Sequence, residues 1–220
     1  MKTILCYGDS NLRGFIPGTY NEKSGLSARY IKSKRWTGIL QHKLGDEFNI
    51  VEEGLNGRTT TLNEITPGRP DRNGLALLPA ILESHYPIDI VIFLLGTNDT
   101  KIQFNQTAEE ITERMRQLVK EVKTCNKGPN LIAPKILVIA PQPIIKIDCL
   151  HPQFKGDPIE KSKLLSSYYK QMTIQEGCEF LDASLIVESS TIDGIHLDEQ
   201  GHKLLGHAMA EKVMQMRGEL

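Results

Sequence analysis

Four short segments carry residue types that together make an acyl-transfer site. Ser10 lies in Gly8-Asp9-Ser10-Asn11, just after the apolar run Ile4-Leu5-Cys6-Tyr7. A serine hydroxyl is a poor nucleophile until a base takes its proton. Asp193-Gly194-Ile195-His196 offers both parts from one turn: His196 as base, and Asp193 to hold the other ring nitrogen and stabilise the imidazolium. A tetrahedral intermediate also needs donors aimed at the developing oxyanion. The backbone N–H of Ser10, the backbone N–H of Gly57 and the side-chain amide of Asn98 are the candidates. Taken singly these are bland: Gly57 is a turn glycine in Asn56-Gly57, and Asn98 a cap or turn residue. As a set they predict a serine hydrolase.

The elements that must position these groups follow from hydropathy. Apolar runs of strand length alternate with amphipathic segments of helix length, the pattern of a sheet covered on both faces. Strands are expected at Thr3–Tyr7, Asn49–Glu52, Asp89–Leu95, Lys135–Ala140 and Glu179–Leu181. Helices are expected at Trp36–Leu44, Leu75–Ser84, Ala108–Thr124, Pro158–Gln175 and Glu199–Met216. In the third, Ile111, Met115, Leu118 and Val122 recur at helical spacing. Five parallel strands in a three-layer α/β/α sandwich, in the order 2-1-3-4-5, account for this series. In such sheets ligands gather beyond the carboxyl ends of the strands, and all four segments follow strand ends.

Three long loops remain, at 11–34, 61–73 and 141–157. Loops of this length in a compact domain are usually functional or interface-forming. The last carries Ile144, Ile145, Ile147 and Leu150, whose apolar surface must be covered, either as a cap over an acyl pocket or against another subunit. Asn11, Trp36, Ile144 and Ile195 are candidate substrate contacts. Trp36 is expected either to line the acyl pocket or to anchor a helix. Asp9 is expected to brace the nucleophile turn, and Asp99 to orient the Asn98 loop.

Length and composition bound the alternatives. The 220 residues suit one α/β domain, 1–220, without a linker or internal repeat. A formal net charge of −1 leaves no electrostatic footprint for nucleic acid. The cluster Lys32-Ser33-Lys34-Arg35 reads as a solvated turn before a helix. No apolar run approaches the ~20 residues of a spanning helix. The first residues lack a secretory pattern, and the four cysteines lack metal-type spacing, so a reducing cytoplasm is the expected setting. His196, His202 and His207 do not converge as a zinc triad would, and His202 and His207 are expected at the surface or capping an element. The chemistry calls for no metal or organic cofactor. Gly-x-Ser-x-Gly, Gly-x-Gly-x-x-Gly and the Walker A pattern are absent, which excludes the α/β-hydrolase layout and simple nucleotide-binding readings.

The four blocks together resemble the SGNH hydrolases, the GDSL esterase/lipase family, whose name spells Ser, Gly, Asn and His. The match covers Gly-Asp-Ser-Asn at 8–11, Gly57 in Glu-Gly-Leu-Asn-Gly-Arg-Thr-Thr, Gly-Thr-Asn-Asp at 96–99, and Asp193 with His196. Asn11 departs from the family, where Leu is commonest. The chain is more specifically similar to the small bacterial arylesterase branch, through Arg35-Trp36-Thr37, Arg58-Thr59-Thr60, Arg69-Pro70-Asp71-Arg72-Asn73-Gly74 and Leu95–Thr100. That resemblance implies hydrolysis of short acyl and aryl esters, perhydrolysis in some members, and homo-oligomers. A carbohydrate O-deacetylase, or a catalytically silent sugar- or lipid-binding module on the same scaffold, is the alternative.

Overall fold

Five strands form one parallel sheet in the order β2-β1-β3-β4-β5. In the computed structural model, which describes residues 1–21, 23–64 and 71–217, they are β1 (Lys2–Gly8), β2 (Phe48–Gly54), β3 (Ile90–Leu94), β4 (Lys135–Ala140) and β5 (Glu179–Asp182). Pro67-Gly68-Arg69-Pro70 of the 61–73 loop, and with it Arg69 and Pro70 of the sequence block above, lies outside the described residues. A one-turn helix α1 (Ser10–Arg13) follows β1. The longer helices are α2 (Trp36–Leu44), α3 (Gly74–Ser84), α4 (Ala108–Thr124), α5 (Asp157–Glu176) and α6 (Glu199–Arg217). The expected strands and helices agree with these to within a residue or two at each end; α1 is the element not anticipated.

The period of two along each strand sorts the core into two layers. Ile4 and Cys6 of β1, Ile90, Ile92 and Leu94 of β3, and Leu137 and Ile139 of β4 face α2 and α6. Leu5, Tyr7, Val91, Phe93, Val138 and Ala140 face α3, α4 and α5. Strand β3 is buried along its whole length, as a central parallel strand must be. Thr107 and Glu110 begin α4 with a reciprocal capping box, and Ile111, Met115, Leu118 and Val122 turn inward from it.

Parallel pairing puts all the carboxyl ends at one edge. Gly8 is level with both Gly54 and Leu94, and β1 lies at the point where the chain winds outward in both directions. Helix α1 crosses this edge closely. A Cβ on Gly54 would lie 2.5 Å from the Arg13 backbone nitrogen, so only glycine lets α1 approach.

The Lys32–Arg35 cluster is a solvated turn only in part. Lys32–Lys34 form an exposed 3-10 turn, whereas Arg35 is buried and binds Glu52 at the end of β2 through two nitrogens, at 3.0 and 2.5 Å. Thr37 also donates to Glu52. This bidentate pair ties the start of α2 to the sheet edge.

Ile92 faces the α2–α6 layer at the centre of the sheet. Ile92→Ala is expected to lower stability by about 2–5 kcal/mol through lost burial and a residual cavity, measured by urea unfolding.

Candidate active site

Ser10 owes its position to the end of β1. Asp9 caps α1: its Oδ1 accepts the Asn11 N–H at 2.9 Å, and Gly14, in the left-handed region, closes the turn by donating to the Ser10 carbonyl at 3.0 Å. The other Asp9 oxygen receives the Asn98 side-chain amide at 3.4 Å. Asp9 therefore braces the turn, as expected, and links it to the β3 loop as well. Ser10 is 7% exposed.

His196 arrives on the turn before α6. The Asp193 carboxylate accepts three bonds there: Oδ1 from the N–H groups of Ile195 (3.1 Å) and His196 (3.0 Å), and Oδ2 from His196 Nδ1 (2.7 Å). Burial pushes this carboxyl up, but the His196 ring and the two backbone donors outweigh it and hold it below its usual range. An ionised carboxylate only accepts, so Nδ1 carries the ring proton of a neutral His196. Nε2 is then an acceptor, 3.0 Å from Ser10 Oγ. Phe15 stacks on the imidazole, with ring centroids 3.8 Å apart and planes 11° from parallel.

The loops after β2 and β3 close the other side. Gly57 has φ +81°, a backbone geometry that favours glycine. Asn98 Nδ2 donates to the Arg58 carbonyl at 3.1 Å, so its amide plane is set by the residue following Gly57. Arg58 is buried, lies 4.0 Å from the Tyr7 ring centroid, and donates to the carbonyls of Gly8 (3.0 Å) and Glu53. Asp99 accepts the Thr60 N–H (3.0 and 3.1 Å) and hydroxyl (2.5 Å), joining the two loops. The arrangement brings a hydroxyl, an imidazole oriented by a carboxylate, and a side-chain amide to one sheet edge.

The model of the GDSL-like lipase/acylhydrolase family matches residues 6–204. The chain belongs to that family. Among solved structures, a carbohydrate acetylesterase from Sinorhizobium meliloti is 42% identical, with a TM-score of 0.89, covering 98% of this chain and 100% of that one. The aryl esterase of M. smegmatis is 37% identical, with a TM-score of 0.89 and coverage of 98% and 99%. An acetylxylan esterase from Xylanibacter ruminicola is 25% identical over 227 residues, 96% of this chain and 42% of that protein. The chain spans about half the length of the curated relatives it matches.

The candidate substrate contacts of this GDSL-like family member, Asn11, Trp36, Ile144 and Ile195, are all buried. Trp36 is 0% exposed and packs with Leu40 and Leu205 between α2, α6 and the sheet, where it anchors α2. Ile144 and Ile195 are buried with Leu150, Phe154 and Ile159, so the 141–157 loop covers its apolar side chains largely within the chain. Asn11 is 2% exposed, and both ends of its amide bond the backbone around His196. His202 is not at the surface: it is buried, and its Nδ1 accepts the Trp36 N–H at 3.3 Å, capping α2 from α6. Burial, reinforced by Arg35, pushes His202 down to about 4, which keeps it neutral. Phe15 and Gln142 were not picked out from sequence, and Arg58 only as part of the Arg58-Thr59-Thr60 resemblance block, because such residues in loops carry no spacing signal. Their roles exist only once the loops meet.

Two buried carboxyls set a pH dependence. Burial pushes Asp9 up to about 6 and Asp99 up to about 7, against partial relief from their hydrogen bonds. The folded state then holds protons that the unfolded chain has released. Their contribution is present below about pH 4 and is lost as pH rises through 6 to 7. Asp99→Asn, isosteric with the protonated acid, is expected to flatten part of this decline in urea-unfolding stability between pH 4 and 7.

Proposed function

We propose that the chain is a serine esterase that hydrolyses short acyl and aryl esters through an acyl-enzyme. The observation that carries this reading is the unbroken relay from Asp193 to His196 to Ser10, at 2.7 and 3.0 Å. Ser10 Oγ attacks the ester carbonyl while His196 Nε2 takes its proton, and Asp193 stabilises the imidazolium. The N–H groups of Ser10 and Gly57 and the Asn98 amide receive the oxyanion. Asn98 offers a second hydrogen beside the one held by Arg58, engaged only at 3.4 Å by Asp9. His196 then protonates the departing alkoxide. Water, deprotonated by the same His196, attacks the acyl carbonyl and releases the acid and free Ser10; hydrogen peroxide in place of water yields a peracid.

The 42% identity to the carbohydrate acetylesterase favours a second reading, removal of O-acetyl groups from sugars. The same relay serves both, and the substrate is the only difference. A panel of phenyl acetate against acetylated monosaccharides separates them: kcat/KM higher on the sugars selects the second reading.

Ser10→Ala is expected to lower kcat on p-nitrophenyl acetate at least ~10³-fold; full activity would overturn the assignment. Asn98→Asp replaces a donor with a repelling charge. It is expected to cut kcat by about 10²–10³-fold in a protein whose circular dichroism is unchanged.

A further inference from the structure

The turn carrying His196 is tied along its whole backbone, but most of its bonds are internal. Asp193 holds the N–H groups of Ile195 and His196, and the Ser190 N–H holds the His196 carbonyl at 2.8 Å. Bonds of this kind fix the shape of the turn; they do not fix its distance from Ser10, because they move with it. Ties from outside the turn supply that: the Ile145 N–H donates to the Gly194 carbonyl at 2.9 Å, and two side chains reach the residues around His196. Gln142, just beyond β4, donates to the Ile195 carbonyl at 3.0 Å. Asn11 grips both sides of His196: its Oδ1 accepts the Leu197 N–H at 2.9 Å and its Nδ2 reaches the Ile195 carbonyl at 3.4 Å.

We propose that Asn11 is a positioning residue that sets the Ser10–His196 separation by holding the backbone on both sides of the base from the nucleophile's own turn. The inference rests on the esterase reading above. Asn11 is the next residue after Ser10, in the same helical turn, and its own N–H is fixed by Asp9 at 2.9 Å. The path from Ser10 through Asn11 to Leu197 and His196 is therefore short and made of buried, directional bonds. Proton transfer depends steeply on that separation, so a slack tie reduces turnover while leaving the ester-binding surface alone. Asn11 is 2% exposed and both ends of its amide are turned to the backbone beside His196.

The test is steady-state kinetics on p-nitrophenyl acetate with Asn11→Leu, Asn11→Ala and Asn11→Asp, beside Ser10→Ala, with thermal melts of each. Leucine keeps the volume but loses the acceptor for Leu197, alanine loses both without crowding, and aspartate keeps the acceptor in the same shape. Asn11→Leu is expected to lower kcat about 10- to 100-fold with KM within about twofold, at temperatures well below its melting point. Asn11→Ala is expected to do the same, which serves if the leucine variant does not fold. Asn11→Asp keeps the acceptor for Leu197 but sets an oxygen against the Ile195 carbonyl, so it too is expected to be slowed. Unchanged kcat in the three variants, or a rise in KM alone, would overturn the assignment. If Ser10→Ala retains full activity, it is the esterase reading that falls; if Ser10→Ala is inactive and the Asn11 variants are not slowed, only the role of Asn11 falls.

Discussion

A hydroxyl at position 10 and an imidazole at position 196 lie 3.0 Å apart, with 186 residues of sequence separation between them. Everything between has to bring the first strand and the turn before the last helix to one point. The parallel sheet does this by placing β1 between β2 and β3, where the winding changes direction, and aligning every carboxyl end at one edge. Helix α6 packs beside α2 on one face of the sheet, and His202 on α6 caps the first turn of α2. The core thus delivers the His196 turn to the same edge as Ser10.

Approximate delivery is not enough for proton transfer, and the finer positioning is polar. Asp9 receives donors from Asn11 and Asn98, Asp99 receives Thr60, and Arg58 reaches the carbonyls of Gly8 and Glu53. These side chains are buried, where an unmade bond is costly, so each loop has few alternative arrangements. The cost appears in the two carboxyls that burial holds at about 6 and 7. A site rigid enough to pre-align a nucleophile carries groups that would be easier to keep in water.

The scaffold was readable in the sequence because its signals are local. Ile90–Leu95 reads as a buried strand, and Ile111, Met115, Leu118 and Val122 as one face of a helix. The grouping of Ser10, Asp193 and His196 was readable for a different reason: they are types with few other joint uses, and their side chains do meet. Trp36, Asn11 and Ile144 marked the limit. Side-chain type says that Trp36 wants burial but not where, and that Asn11 wants partners but not which. Their surroundings come from packing between segments far apart in sequence, as does the burial of His202 and Arg35. The four-residue helix α1 was missed because one turn is too short for a periodic signal, even though its capping Asp9 and closing Gly14 stand in the sequence.

The central claim is that Ser10 is an activated nucleophile because His196 holds its proton. Intact-mass and peptide analysis after incubation with a p-nitrophenyl alkylphosphonate tests it directly, since the reagent phosphonylates only a serine whose proton is drawn away. The account predicts one equivalent bound, located on Ser10, in the wild-type protein and none in His196→Ala over the same time. An unlabelled wild-type protein, label on another residue, or equal labelling of His196→Ala would contradict it.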